Sequence, residues 1–258
     1  MRTLFVGDIF GKPGLRTLKA LLPGIVRAQG VDFVVANGEN SANGFGITPA
    51  NAREIFDAGV DVITTGNHVW DRREIMEHID SAPNLIRPAN MAPGAPGKGF
   101  CIVTARGARV AVLNLVGRIF MDPADCPFRA ADAILAELEG NSPDHVLVDF
   151  HAEATSEKIA LGHHLDGRVT AVVGTHTHVA TADAGTLPGG TAYITDVGMT
   201  GVAHSVIGLD RDRVTKRFAT GLPMSSVQAE GRGRLNAVVI DMEGRSRATI
   251  RRIDMYEE

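Results

Sequence analysis

The sequence predicts a layered α/β fold. Short apolar runs recur along the chain and end in polar, glycine-rich residues. Helix-like stretches lie between them, so strand and helix signals alternate. Further extended stretches, two pairs of them hairpin-like, add strands outside that alternation.

The elements follow in order. Residues 3–6 form the first apolar run and stop at Gly7-Asp8. Residues 15–28 carry helical periodicity up to a boundary near Val31. Residues 33–36 are the next strand and run into Asn37-Gly38-Glu39-Asn40. Residues 49–58 read as a helix closed by Gly59, and 62–65 as a strand that ends in Gly66-Asn67-His68. Residues 71–78, bounded near Ala82, and 129–138 are further helices. Residues 146–150 lead into His151-Ala152-Glu153, and 169–173 into Gly174-Thr175-His176. Residues 99–105 with 109–115, and 235–241 with 248–253, suggest hairpins, and 191–195 is one more strand. These added strands predict a second, more antiparallel sheet.

Length and composition narrow the function classes. The 258 residues carry no repeat, low-complexity stretch or clear linker, so residues 1–258 are expected to form a single domain. Hydrophobic residues make up 44% and charged residues 22%, enough for a sizeable core. A net charge of -4 with 5% aromatic residues argues against an extended nucleic-acid surface, which needs basic grooves and stacking platforms. Cys101 and Cys126 have no Cys-x-x-Cys spacing, which fits a reducing cytoplasm and neither a disulfide framework nor a thiolate zinc cluster. The apolar start before Gly7 is too short for a signal peptide, and no run spans a bilayer, so no membrane partner is expected.

Several familiar motifs fail. "GDIFGK" (7–12) lacks P-loop glycine spacing and has Pro13 where Ser or Thr binds magnesium. His151-Ala152-Glu153 has no Pro-Cys-x-x-Cys partner for a zinc deaminase. Gly44-Phe45-Gly46 lacks a third glycine, and there is no Gly-x-Ser-x-Gly elbow.

What survives is a pattern of strand ends. In open α/β sheets, sites gather at the carboxyl ends of strands. Five such ends here carry Asp8, Glu39, Asn40, Asn67, His68, His151, His176 and His178. Singly, each has an ordinary reading: Asp8 as a helix N-cap, Asn37 to Asn40 as a turn, Asn67 and His68 as an exposed loop, His151 as a satisfied core histidine. His176 and His178 would share one side of an extended chain and so address one site. Together, carboxylate, amide and imidazole suit divalent transition metals such as manganese, iron or zinc. Seven candidate ligands exceed the needs of one ion and suit two ions about 3.5–4 Å apart.

The ordered stretches "GDIFG", "NGEN", "GNHVWD", "DFHAEATSEK" and "GTHTHV" resemble the calcineurin-like metallophosphoesterases. With "GFG" and "GRIFM" they resemble the YmdB branch of 2′,3′-cyclic-nucleotide 2′-phosphodiesterases. The resemblance implies an α/β/β/α sandwich with two mixed sheets. It also implies a dinuclear centre with a bridging hydroxide, acting on a small cyclic nucleotide of the 2′,3′-cAMP or 2′,3′-cGMP type. The superfamily's usual Asp-x-His is here Asp8-Ile9-Phe10, and its usual bridging Asp is Glu39. Carried over, Asp8, Glu39, Asn40 and His178 hold one ion, while Glu39, Asn67, His151 and His176 hold the other. Phe10 takes a non-ligand position against the sheet.

Two divalent ions outweigh the charge of Asp8 and Glu39, the only anionic ligands, and leave the site attractive to a phosphodiester. The ribose alkoxide is a poor leaving group, and His68 is the candidate general acid; the same reach also serves a phosphate hydrogen bond. Alternative readings are a broader phosphodiesterase or phosphatase, and a regulatory nucleotide- or RNA-binding protein with structural metals. The apolar loop 117–128, with Pro123 and Pro127, admits three roles: a cap over the site, a contact in a homo-oligomer, or packing within the monomer.

Overall fold

The computed structural model describes residues 1–258. Strand β1 (Arg2–Val6) leads through β2 (Asp8–Ile9) into helix α1 (Gly11–Gln29), then β3 (Phe33–Asn37), α2 (Pro49–Asp57), β4 (Val62–Thr64) and α3 (Glu74–His78). The hairpin β5 (Phe100–Ala105) and β6 (Ala108–Val116) is followed by α4 (Pro127–Glu139), β7 (His145–His151), α5 (Thr155–Leu165) and β8 (Ala171–Thr175). Strands β9 (Gly185–Thr186), β10 (Ala192–Ile194) and β11 (Met199–Val202), helix α6 (Arg211–Thr220) and the long hairpin β12 (Gly233–Gly244) and β13 (Arg247–Tyr256) complete the chain.

Two sheets form. One runs β2-β11-β12-β1-β3-β4, with β13 also paired to β12; the other runs β5-β6-β7-β8-β10-β9. The period-two alternation of their strands creates the layers. On β1, Phe5 faces a core between the sheets, while Leu4 and Val6 face α1 and α2 through Leu15, Leu18, Leu22 and Ile55. On β6 and β7, Val112 and Leu147 join the inter-sheet core, while Leu113, Val146 and Val148 pack on Leu135 of α4 and Leu161 of α5. This is the α/β/β/α sandwich.

The second sheet is not the more antiparallel one. Each sheet takes one hairpin and remains mixed: β5 pairs antiparallel with β6 while β6, β7 and β8 run parallel, and β12 pairs antiparallel with both β1 and β13 while β1, β3 and β4 run parallel. A hairpin's own pairing is local, but its docking edge is a long-range choice. Helices α5 and α6 have no counterpart in the sequence-predicted elements. Helix α5 buries the polar Glu157 and Lys158, and α6 buries no residue, so neither shows a clean apolar stripe. Asp8 is not a helix N-cap, since Phe10 holds that position in front of α1. No helix is long and apolar enough to cross a membrane.

Candidate metal centre

The parallel strands deliver their carboxyl ends to one edge of the sandwich. Asp8 follows β1, Glu39 and Asn40 follow β3, Asn67 follows β4, His151 ends β7, and His176 and His178 follow β8. The structure brings all seven together. Glu39 Oε1 lies 2.9 Å from His151 Nε2 and accepts from Asn40 Nδ2 at 3.0 Å. His151 Nε2 is also 3.1 Å from Asn67 Oδ1 and 3.0 Å from His176 Nδ1. His178 Nε2 lies 3.2 Å from Asn40 Nδ2 and 3.8 Å from Asp8 Oδ1. Within this set, ligand-capable atoms of Glu39, His151 and His176 all lie within 4.8 Å of one another.

The two histidines of the "GTHTHV" stretch do not share a face of an extended strand. Strand β8 ends at Thr175, and His176 (φ 100°) and His178 (φ 64°) both sit in the left-handed region. A tight turn, costly for non-glycine residues, aims them at the cluster. Gly66 lies beneath it, where an added Cβ would stand 2.2 Å from His151 Cδ2 and 2.3 Å from Glu39 Oε2. Phe10, in place of the superfamily's histidine, is buried edge-on to His178 with ring centroids 5.5 Å apart.

These residues fit divalent ions. Asp8, Glu39 and His151 are fully buried, and Asp8 Oδ1 and Asn40 Oδ1 have no hydrogen-bond partner. A half-turn of the Asn40 amide would exchange its oxygen for the nitrogen that now faces His178 and Glu39. Buried, partnerless oxygens beside converging imidazoles form a donor set that a cation satisfies. Burial pushes the Asp8 carboxyl above its ordinary value, opposed by His178 and His151. Burial also acts to raise Glu39, but His151, His68 and His176 outweigh it and bring its pKa to about 2. His151 is held up at about 9, because Glu39, Asp8 and Asp149 overcome the effect of burial. Burial and the neighbouring His151 push His176 down to about 3.

His68 belongs to the pocket above the cluster. This pocket, of about 300 Å³, is lined by Glu39, Asn40, His68, His176 and His178, with Phe10 and Phe45 among its apolar walls. Asp71 holds His68 Nδ1 at 2.9 Å, and the ring stands edge-on to Phe45 at 5.3 Å, so Nε2 is the nitrogen left free.

Sequence reasoning missed a supporting layer. His151 Nδ1 meets Thr175 Oγ1 at 2.9 Å, and that hydroxyl donates to Asp149 Oδ1 at 2.7 Å. The hydroxyl therefore accepts from Nδ1–H, which leaves Nε2 as the His151 nitrogen turned to the cluster. Asn37 and Thr64 also donate to Asp149. The available signal was an aspartate within the buried run 146–150. Glu153 was missed too, although it lies 3.1 Å from His176 Nε2. The loop 117–128 is not packed within the monomer at its tip, where Phe120 is 89% exposed.

The model of the YmdB-like protein family matches residues 4–253. A 2′,3′-cyclic-nucleotide 2′-phosphodiesterase of Bacillus subtilis is 49% identical over 251 residues, covering 97% of this chain and 95% of the relative. The crystal structure of a phosphatase from Mycoplasma pneumoniae superposes with a TM-score of 0.93 at 31% identity, covering 100% of this chain and 94% of that one. A 5′-nucleotidase precursor from Thermus thermophilus, at 12% identity and a TM-score of 0.64 over 99% of this chain and 54% of that one, shares the fold alone. With a family model matched over nearly its whole length and a relative close to half identical, the chain belongs to the YmdB-like family of metallophosphoesterase fold.

Proposed function

We propose that the protein hydrolyses 2′,3′-cyclic nucleotides of the cAMP or cGMP type at the 2′ ester. Asp8, Glu39, Asn40, Asn67, His151, His176 and His178 would hold two divalent ions of manganese, iron or zinc, with Glu39 shared. The observation that carries this reading is the cluster itself, in which buried carboxylate and amide oxygens lie without partners beside three imidazoles at the floor of an open pocket. The activity of the Bacillus subtilis relative names the substrate class. Two divalent ions, when bound, lower the pKa of water and neutralise charge on the phosphoryl oxygens.

The chain's own groups do the rest. Water adds to phosphorus, the bond from phosphorus to the 2′ oxygen breaks, and that oxygen leaves as a hydroxyl once protonated. His68 supplies the proton from Nε2, because Asp71 engages its other ring nitrogen. Phe10 and Phe45 give the pocket apolar walls beside the polar floor, as small-ligand sites need. We read residues 1–258 as one domain, because the inter-sheet core draws on both sheets. Free Cys101 and Cys126 accord with a cytoplasmic setting.

The test is turnover of 2′,3′-cyclic AMP by purified protein with and without manganese. Manganese-dependent release of the 3′-monophosphate is expected. Faster turnover of simple phosphomonoesters would favour the phosphatase reading, for which the Mycoplasma pneumoniae structure speaks. Nucleotide binding without metal-dependent turnover would favour a regulatory binding protein.

A further inference from the structure

Lys158 is 1% exposed and Asp196 is fully buried, yet neither touches the cluster through its side chain. Lys158 Nζ donates to Asp196 Oδ2 at 2.7 Å and to the carbonyl oxygen of Thr175 at 2.7 Å. The same Asp196 Oδ2 accepts from the amide of Thr177 at 3.1 Å and from its hydroxyl at 2.8 Å. Thr177 is the residue between His176 and His178, both left-handed. On its other side, Asp196 Oδ1 accepts from the amide of Gly198 at 2.8 Å, and the Gly198 carbonyl accepts from the amide of Asp8 at 3.1 Å. Asp8 Oδ2 then accepts from the amide of His176 at 3.2 Å. The contacts close into a ring that contains both the histidine turn and the aspartate opposite it.

We infer that the buried Lys158–Asp196 pair is a positioning clamp, which sets the His176–Thr177–His178 turn and Asp8 in one rigid frame. The inference rests on the metal-centre reading and deepens it. Burying an ammonium and a carboxylate is costly, and apolar residues of similar volume often serve stability as well or better. The pair's placement supplies the return. Left-handed non-glycine residues persist only where their surroundings over-determine them, and this clamp grips the turn at Thr175 and Thr177, on both flanks of His176. Gly174 makes the arrangement possible: a Cβ there would stand 1.7 Å from the carbonyl oxygen of Thr195 and 3.2 Å from Lys158 Cδ. Both residues of the pair act through the ligand-bearing turn, so they are positioning residues.

The experiment titrates cobalt(II) alone into the apo full-length chain, following visible absorption, with thermal unfolding measured on the same samples. Asp196→Asn should weaken cobalt binding about 10–100-fold, as loss of partners behind metal ligands does. Thr177→Val removes the hydroxyl's bond to Asp196, together with a long 3.5 Å contact from the Val179 amide, without changing charge, so its expected loss of roughly threefold to tenfold reports geometry and not field. It also decides the matter if Asp196→Asn fails to fold. Leu138→Ala, a buried core change beneath the other sheet, should lower the melting temperature and leave cobalt affinity intact. Unchanged cobalt affinity in Thr177→Val, or a loss in Leu138→Ala as large as that in Asp196→Asn, would overturn the clamp. A wild type that binds no cobalt would instead overturn the metal-centre reading, and the clamp with it.

Discussion

On the floor of the pocket, Glu39 and His151 are fully buried, and each is held by more than one polar group. His151 leans on Thr175 and through it on Asp149; Glu39 receives Asn40 and the amide of His68. On the rim, His68 keeps a side-chain exposure of 31% and is held from one side by the exposed carboxylate of Asp71, while His176, at 20%, joins floor to rim, with Nδ1 on His151 and Nε2 on the exposed Glu153. The difference assigns separate work. Buried, multiply bonded donors cannot reorient without leaving polar groups unpaired, which suits tight metal coordination. A rim group such as His68, with one partner and solvent access, can meet a substrate and exchange a proton.

The largest effect should come from breaking the floor at its centre. Glu39→Ala removes the group common to both proposed ions. Bound metal should largely disappear, and turnover should fall by more than about 10³-fold, beyond the loss of a single electrostatic donor. The fold should persist, since the core clusters do not include this side chain. Elemental analysis showing both metals at full occupancy in this variant would remove the distinction between floor and rim.

The rim should fail differently. His68→Ala should leave metal content unchanged and slow cleavage of the cyclic nucleotide by about 10²–10⁴-fold, the usual worth of general acid catalysis. A phosphodiester with a nitrophenolate leaving group departs without protonation, so its hydrolysis should hardly change. Comparing kcat for the two substrates at saturating manganese sharpens the comparison. Equal losses would mean that His68 only positions the phosphate or stabilises its charge.

The floor's second layer comes next. Thr175→Val keeps the shape of the side chain but leaves His151 Nδ1 and Asp149 Oδ1 without their shared hydroxyl. Metal affinity should fall about 10–100-fold, and the apo protein should lose about 1–3 kcal/mol, as when a buried polar group is left unpaired. Calorimetric metal titration and denaturant unfolding check the two arms. Affinity equal to wild type would show that His151 keeps its orientation without the hydroxyl.

These contrasts also explain what could be read without coordinates. Strands β1, β3, β4, β7 and β8 were legible because buried strands write apolar runs and their carboxyl ends write Gly, Asn, Asp and His. The seven converging residues followed from those ends and from resemblance. The reason for the paired histidines was not legible as first argued, because His176 and His178 reach the cluster through left-handed turns and not through strand alternation. Helix α6 has no buried face, and Val214 and Phe218, its only large apolar residues, are too few to mark it among charged neighbours. The links from Lys158 to Asp196 and from Asp149 to Thr175 cross 38 and 26 residues of sequence, and only the folded sheets bring them together.

The smallest effect should come from the rim carboxylate. Glu153 lies 3.1 Å from His176 Nε2, but its side chain is 48% exposed. Water competes for such a contact and salt screens it, so exposed pairs of this kind contribute little. Glu153→Gln keeps an oxygen that can still accept from Nε2–H and removes only the charge. Metal affinity should therefore fall by less than about threefold, equivalent to well under 1 kcal/mol. The small loss should shrink further as ionic strength is raised from low to high salt. Glu153→Ala, which removes the acceptor as well, should cost slightly more because water can take its place. The titration used for Thr175→Val serves here too, repeated at two salt concentrations. A loss for Glu153→Gln as large as that for Thr175→Val, and insensitive to salt, would place Glu153 functionally on the floor, and exposure would no longer separate the groups that hold metal from those that meet substrate.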